Sequence, residues 1–210
     1  MKMSSNKVLS GAFILGLIIL YINCGIQTCG VETTNGASVT AFQDKVEGTA
    51  PPLVNIYLFT SDYIPYIDTG LGIATTSGLD GYFSFYNVQI DTFNVAVVDI
   101  DNSRAAIISG HKSASLQTKL EKTGSLEGTV VSSKGGPILV FLYGTGYYTI
   151  LDSEGPFLLN SIPGGKYKVQ AARIQKQPYP QKPLIAELSE VYQVIIEPEQ
   201  KTIAPVFEVN

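Results

Sequence analysis

Side chains that commonly do acid–base, nucleophilic or metal chemistry are sparse in this chain. His111 is its one histidine, and both cysteines, Cys24 and Cys29, lie near the N-terminus. A zinc site needs about four His, Cys or carboxylate ligands held close together. A Ser-His-Asp arrangement would have to be built around His111, which lies in the polar segment 109–113 without a Gly-x-Ser-x-Gly nucleophile turn. We therefore expect no catalytic residue, no metal site, no cofactor and no enzyme activity.

Acidic side chains form two short groups, Asp99 and Asp101 with Asn102, and Asp152 with Glu154. Their oxygen atoms could bind calcium. Both groups are shorter and less dense in oxygen ligands than an EF-hand loop. Acidic residues are also common in turns, because their side chains accept hydrogen bonds from the backbone. Turn formation is therefore the interpretation we adopt for both groups.

Clustered tyrosines are the pattern with the clearest functional content. Tyr143, Tyr147 and Tyr148 flank a Gly-Thr-Gly turn, while Tyr63 and Tyr66 lie on either side of Pro65. Tyrosine rings on loops or on an exposed sheet face can stack on sugar rings or pack against a partner protein. The alternative is structural, because tyrosine is favoured in strands. We predict these five tyrosines as candidate contacts with a protein or glycan ligand.

The elements that must position these residues are written twice in the sequence. The stretch 75–98 recurs 74 residues later, in 149–172, with apolar side chains in matching places. In each copy, apolar and polar residues alternate on both sides of a turn rich in Gly, Pro or Asp. Alternation with a period of two predicts strands with one apolar face. We predict that each copy is a β-hairpin whose apolar face is covered by a second sheet.

The second copy resembles the carboxypeptidase regulatory-like domain. It has the pattern Asp-x-x-Gly-x-Phe-x-Leu, followed by IPGGKYKV, and the first copy keeps the aromatic strand but reads VQIDTFNV at the turn. The upstream segment GSLEGTVVSSKGGPILVFLYG is similar to the opening strands of that family. The resemblance implies an all-β fold, with one seven-stranded, transthyretin-like or Ig-like β-sandwich for each copy. Such modules are mostly structural or binding domains, so the resemblance implies little about chemistry.

Domain boundaries follow from the repeat. We predict a first sandwich over residues 38–121 and a second over residues 122–210. The first carries ten more residues ahead of the repeated motif, because 29 positions separate Val54 from Phe83 and only 19 separate Ile138 from Phe157. The extra residues form an insertion at 60–72. Little helix is expected beyond the N-terminal segment, because neither half shows a sustained period of 3.6 residues.

Residues 1–23 have the features of an export signal. Lys2 and Lys7 precede an apolar run over residues 8–22, which is long for a signal core and short for a membrane span of about twenty residues. Cys24 follows directly and resembles the cysteine of a bacterial lipobox. The resemblance implies that its thiol is acylated. Residues 24–37 are predicted to form a flexible tether, because the segment is small, polar and rich in threonine and has no sustained periodicity. An uncleaved anchor, ordinary signal cleavage and a Cys24–Cys29 disulfide are the alternatives.

Charge limits the range of partners. Loss of the signal would remove Lys2 and Lys7 and change the formal net charge from −4 to −6. Without a basic run, the chain lacks the electrostatic footprint of a nucleic-acid-binding protein. The one membrane contact we expect is the lipid on Cys24, and several acyl chains would be needed for lasting attachment.

Taken together, these features predict a non-enzymatic lipoprotein of the bacterial cell envelope, anchored in the outer membrane or at the cell surface. Its tandem sandwiches are expected to serve a structural or adhesive, protein-binding role. A carbohydrate-binding protein of the cell surface is the alternative, and a hydrolase that uses His111 is a third hypothesis.

Overall fold

The computed structural model describes residues 35–68, 72–175, 177 and 181–210, and within them the secondary structure is all β, with 18 strands and no helix. The fold class predicted from the sequence, a pair of β-sandwiches, is confirmed. The predicted signal, Cys24, Cys29 and tether residues before Asn35 lie outside the described residues. In the part of the chain that the structure describes, no helix is long and apolar enough to cross a membrane. Residues Thr33–Asn210 form one compact unit.

We call strands β1–β9 the first sandwich. They are β1 (Gly36–Ala41), β2 (Lys45–Thr49), β3 (Asn55–Thr60), β4 (Ile73–Thr76), β5 (Tyr82–Tyr86), β6 (Thr92–Asp99), β7 (Arg104–His111), β8 (Ser115–Lys119) and β9 (Glu121–Lys122). Sheet 1 has the order β5-β2-β1-β8, and sheet 2 has the order β4-β3-β6-β7-β9. Alternate residues of both sheets point inward, and their buried side chains, such as Ile56, Phe83 and Val95, form one apolar core between the sheets.

We call strands β10–β18 the second sandwich. They are β10 (Gly124–Ser132), β11 (Ile138–Leu142), β12 (Tyr148–Leu151), β13 (Gly155–Ile162), β14 (Gly165–Gln175), β15 (Leu184–Leu188), β16 (Tyr192–Ile196), β17 (Lys201–Ile203) and β18 (Phe207–Val209). In sheet 3, β10 lies between β13 and the successive strands β17 and β18. In sheet 4, the order is β12-β11-β14, with β15 and β16 one after the other along the outer edge of β14. A second core, which includes Leu126, Val140 and Phe207, fills the space between them.

The two sandwiches follow one plan in matching register. Gly48 pairs with Phe83 between β2 and β5, and Gly128 pairs with Phe157 between β10 and β13. Because β15 with β16 and β17 with β18 each occupy one strand position, the second sandwich has seven positions, as the family resemblance implies. The first sandwich has an additional strand, β1, which lies between β2 and β8. In the second sandwich the equivalent strands, β10 and β17, pair directly with each other.

The predicted hairpins are wrong. Strand β5 belongs to sheet 1 and β6 to sheet 2, while β13 belongs to sheet 3 and β14 to sheet 4, so each repeated unit is a corner that joins two facing sheets. Alternation was interpreted correctly, since Phe83 and Phe93 both point into the core. It could not distinguish a hairpin from a corner, because either arrangement turns one apolar face inward.

Glycines at equivalent positions make room for the aromatic rings of the core. A Cβ on Gly128 would lie 2.7 Å from Cε1 and 2.8 Å from Cζ of Phe157. A Cβ on Gly48 would lie 2.8 Å from Cζ of Phe83 and, closer still, 1.8 Å from the carbonyl oxygen of Ser38 on β1. Real Cβ atoms do not approach neighbours that closely. The repeat therefore includes a glycine seat for its phenylalanine, on the strand that pairs with it.

Candidate functional site

Residues 143–147 form a tight turn between β11 and β12. Gly144 has a φ of +67°, a left-handed conformation that suits glycine. Thr145 is buried, and its Oγ1 donates to the carbonyl oxygen of Leu142 at 2.8 Å and accepts from the backbone N–H of Tyr147 at 3.1 Å. Because the Thr145 hydroxyl is satisfied within the turn, this side chain can be buried where the turn meets another part of the protein.

Residues 60–68 of the insertion form a compact loop. The Asp68 carboxylate accepts from the backbone N–H of Ile64 at 2.8 Å, and the N–H of Asp68 donates to the carbonyl oxygen of Ile64 at 2.9 Å. These bonds present Ile64 and Ile67 together. Both pack against an apolar patch on the outer face of sheet 4, which is separate from the core and includes Leu139 and Phe141. The loop of the first sandwich thus covers a face of the second.

The turn makes the reciprocal contact. The N–H of Gly144 donates to the carbonyl oxygen of Tyr63 at 2.8 Å. Its own carbonyl oxygen accepts from Nδ2 of Asn94, an amide that is only 8% exposed on the outer face of sheet 2. A Cβ at position 144 would overlap Asn94 Nδ2 and lie 2.7 Å from the carbonyl oxygen of Ser61. Glycine is therefore required both by the turn and by this close approach. We call these loop and turn contacts the junction.

All five tyrosines predicted as ligand contacts lie at or beside the junction, but they differ in exposure. Tyr66 and Tyr148 are 36% and 43% exposed, and their ring centroids are 5.9 Å apart. Tyr63 is partly buried against Phe59, Tyr143 packs against Phe141, and Tyr147 packs against the core of the second sandwich. The structure therefore presents one exposed pair of rings, and the other three tyrosines contribute to packing.

Burial raises the pKa of three of these phenols above their ordinary value of about 10, so they stay protonated at neutral pH as ordinary tyrosines do. It raises the pKa of Tyr147, with a smaller contribution from Tyr57 nearby, and it also raises the pKa of Tyr143. Burial raises the pKa of Tyr63 as well, and the Asp68 charge adds to the effect. These tyrosines are therefore neutral hydrogen-bond donors at physiological pH. The Tyr143 hydroxyl donates to Oε1 of Gln170 at 2.5 Å.

Two clefts flank the junction. One has a volume of about 670 Å³ and is lined by Asp62, Asn94, Tyr143, Lys166 and Lys168 among others. The other, of about 320 Å³, is lined mainly by apolar atoms of residues on β3 and β6 and in the turn. Clefts between domains are common places for ligands. These two could admit small polar and apolar groups, respectively.

The remaining candidates have structural contacts. The Asp99 carboxylate accepts from the backbone N–H of Asn102 at 3.2 Å and from its Nδ2 at 2.8 Å, which confirms the turn interpretation of this group. Glu154 accepts from the N–H of Ser132 at 2.9 Å. His111 is exposed at the end of β7, with Nδ1 2.8 Å from the carbonyl oxygen of Lys112. Within the described ranges, no group of three or more His, Cys, Asp or Glu residues is placed to hold a metal ion.

Sequence analysis missed the two surfaces that meet at the junction. One signal was present: β11 reads ILVFL without a polar residue, and all five side chains are buried. An uninterrupted apolar run indicates a strand buried on both faces. Asn94 gave no comparable signal, because only the fold brings it to Gly144, 50 residues away in sequence.

Fold and junction together define a protein of two β-sandwiches that dock through exchanged contacts. No protein-family model matches the chain, and no curated protein matches it either. Among solved structures, the chain is similar to a minor pilin of Streptococcus agalactiae, with 13% identity and a TM-score of 0.31 over 78% of this chain and 85% of the pilin. It is also similar to the TIE protein of Bacillus anthracis, with 9% identity and a TM-score of 0.25 over 81% of this chain and 38% of that one. The fold assignment itself rests on the strand pairings described above.

Proposed function

We propose that the protein is a non-enzymatic structural or adhesive component of the bacterial cell envelope, anchored by lipid on Cys24. In this proposal its modules are two tandem carboxypeptidase regulatory-like sandwiches. The observation that carries the mechanical part is the junction, where each sandwich contributes contacts to the other. Such a unit holds its surfaces at fixed positions, as a spacer or an adhesin requires.

The connection between the sandwiches supports this rigidity. Thr123 is the single residue between β9 and β10. Its N–H donates to the carbonyl oxygen of Ser103 in the first sandwich at 3.3 Å, and its carbonyl oxygen accepts from the N–H of Glu199 in the second at 3.1 Å. A linker this short, bonded to both sides, gives the two bodies little freedom to rotate.

Apolar contacts between the sandwiches add to this restraint. Ile107, on the outer face of β7, packs against the core of the second sandwich, while Ile64 and Ile67 cover sheet 4. Domains of one chain commonly move relative to each other unless their interface is large and apolar. Here these apolar contacts are combined with the buried Asn94–Gly144 hydrogen bond. A rigid pair also loses less conformational entropy when it binds a partner.

Metabolic labelling with a fatty-acid analogue tests the proposed anchor. The native chain should incorporate the label, and Cys24→Ser should abolish incorporation. Cys29→Ser is the matched control and should retain it, because only Cys24 directly follows the apolar run. Label that persists in Cys24→Ser would remove the anchor from the proposal.

A comparison of cells with and without the gene tests the adhesive role. Cells that lack the protein should attach less to one another or to surfaces. The native chain should restore attachment, whereas Cys24→Ser should be released and fail to do so. Equal attachment by cells with and without the protein would contradict an adhesive function.

Glycan binding at the junction is a second candidate function, which the exposed Tyr66–Tyr148 pair favours. Soluble polysaccharides should then retard the protein in a native gel, and Tyr66→Ala or Tyr148→Ala should relieve the retardation. Retardation that is unchanged in both variants would exclude this pair as the binding site.

A further inference from the structure

The outer face of sheet 1 carries three exposed aromatic rings. Phe42, Tyr82 and Tyr86 are 47%, 41% and 64% exposed. Tyr82 and Tyr86 are four residues apart on β5, a spacing of about 13 Å along the strand. The backbone N–H of Phe42 donates to the carbonyl oxygen of Lys45, and Lys45 pairs with Tyr86 between β2 and β5. The rings of Phe42 and Tyr86 are therefore two strands apart, which is about 10 Å across the sheet. We call this surface the aromatic face.

The fold does not require these rings. At the offset of 74 residues that relates the two sandwiches, Tyr82, Ser84 and Tyr86 correspond to Pro156, Leu158 and Asn160. The inward positions of the same strands keep their apolar character, with Phe83 matching Phe157 and Phe85 matching Leu159, and all four are buried. The same architecture therefore forms with or without outward-facing aromatics. Their presence on the first sandwich alone points to a role beyond folding.

Hydroxyl groups lie beside the rings, with Ser84 between Tyr82 and Tyr86 on β5 and four others on the neighbouring strands β2, β1 and β8. Ser38 and Thr49 share a hydrogen bond of 2.8 Å, and Thr40 and Ser115 share one of 3.4 Å. Ser84 lies in the same row as Thr40, because β2 places Glu47 between them. Each hydroxyl can both donate and accept, so this part of the face matches the bonding of a polyol.

The charges in the centre of the face cancel. Lys45 and Glu47 form an ion pair, and the Tyr82 hydroxyl donates to Oε2 of Glu47 at 2.5 Å. The Lys45 ammonium lies 5.2 Å from the ring centroid of Tyr86. These contacts hold both rings in place and leave no unbalanced charge between them, so an uncharged ligand is favoured over an anionic or cationic one.

We propose that the aromatic face binds a neutral polysaccharide, whose pyranose rings stack on Tyr82 and Tyr86 while its hydroxyls bond to Ser84 between them and to the serine and threonine hydroxyls on the neighbouring strands. Aromatic rings offer flat apolar area with little loss of conformational entropy on binding. The chain must be several sugars long, because the two tyrosines are about 13 Å apart. This site supplies a ligand class for the adhesive role, but binding here does not depend on the anchor at Cys24.

Affinity electrophoresis of the full chain tests this site. The protein is solubilised in a detergent without a sugar headgroup and run in native gels that contain hydroxyethyl cellulose, arabinoxylan or galactomannan, all of them neutral. At least one should retard the native protein. Tyr82→Ala and Tyr86→Asn should each weaken the apparent affinity about threefold to tenfold, the effect of one aromatic contact. Asn is the residue at the equivalent position of the second sandwich.

Matched variants distinguish the effect of the aromatic rings on binding from the effect of the hydroxyl groups and of other positions. Tyr86→Phe keeps the ring and should bind like the native chain, while Leu158→Ala, at the position equivalent to Ser84, should have no effect. If Tyr82→Ala unfolds because the ring is lost, Tyr82→Phe, which keeps the ring and removes only the hydroxyl bonded to Glu47, should still fold and still bind. Melting temperatures of all variants establish that they are folded.

Three results would overturn the proposal. The native chain could fail to be retarded by every neutral polysaccharide. Tyr82→Ala and Tyr86→Asn could be retarded as strongly as the native chain. Retardation could instead be lost only in Tyr66→Ala and Tyr148→Ala, which would place the site at the junction. Because the gel does not depend on Cys24, loss of the lipid anchor and loss of glycan binding are separate outcomes.

Discussion

Replacement of Gly144 by alanine probes the junction at the point where the turn of the second sandwich meets Asn94. The new Cβ would overlap Asn94 Nδ2 and approach the Ser61 carbonyl oxygen, and it would be carried by a residue whose φ is +67°. Gly135 offers a matched control. Its φ is +63°, and no atom lies within 4 Å of a Cβ built there, so Gly135→Ala introduces the backbone strain alone.

The expected magnitudes follow from these two contributions. An alanine held in the left-handed region costs about 1–2 kcal/mol, which is the whole effect expected for Gly135→Ala. Gly144→Ala should add about 1–3 kcal/mol, because the Asn94–Gly144 hydrogen bond breaks and leaves buried polar groups without partners. We therefore expect Gly144→Ala to lower the free energy of unfolding by about 3 kcal/mol in total.

Urea denaturation and differential scanning calorimetry measure both effects. The native chain should unfold in one transition, because the junction couples the sandwiches. Gly135→Ala should lower the midpoint and keep a single transition. Gly144→Ala should lower it further and separate the unfolding of the two sandwiches into two steps. Equal destabilisation by the two variants, with one transition in each, would refute the role assigned to the junction.

The remaining predictions concern packing and charge within the sandwiches. Gly128→Ala should lower the free energy of unfolding by about 1–3 kcal/mol, because its Cβ would press against the Phe157 ring, and urea denaturation would measure this. No loss, or the gain of about 0.4–1 kcal/mol that Gly-to-Ala gives where the backbone is unstrained, would contradict the glycine seat. Hydrogen bonds from Arg173 and, to a smaller extent, from Lys134 lower the pKa of the Glu187 carboxyl from 4.5 to about 2. This contribution to stability should be present above pH 4.5 and be lost as the pH falls towards 2. Glu187→Gln should remove that part of the pH dependence, measured as the free energy of unfolding at a series of pH values. The same change of that free energy with pH in both proteins would contradict the prediction.

Alternation in the sequence was sufficient to predict the cores. Phe83, Phe93, Phe157 and Val169 are all buried, as their spacing of two within each strand predicts. The signal is reliable because inward and outward positions of a strand meet different surroundings. Partner strands are chosen by the whole fold, so the repeated unit was taken for a hairpin although its two strands belong to different sheets.

The candidate site could be predicted only in part. Tyr66 and Tyr148 were identified by residue type, and the structure places them in contact. The role of the insertion was not identified, because Ile64 and Ile67 pack on residues of sheet 4 that are far away in the sequence. Contacts of this kind depend on how two folded bodies meet, which local patterns do not encode. Tyr82 and Tyr86 were not identified as candidates, because only the strand register shows that they share a face with Lys45 and Glu47.

Backbone ¹⁵N relaxation of the described strands tests the rigidity of the two-sandwich unit most directly. If the junction fixes the sandwiches, amides of β1–β9 and of β10–β18 should give the same rotational correlation time, that of a single body formed by Thr33–Asn210. Two different and shorter correlation times, one for each sandwich, would show independent tumbling and would contradict the account.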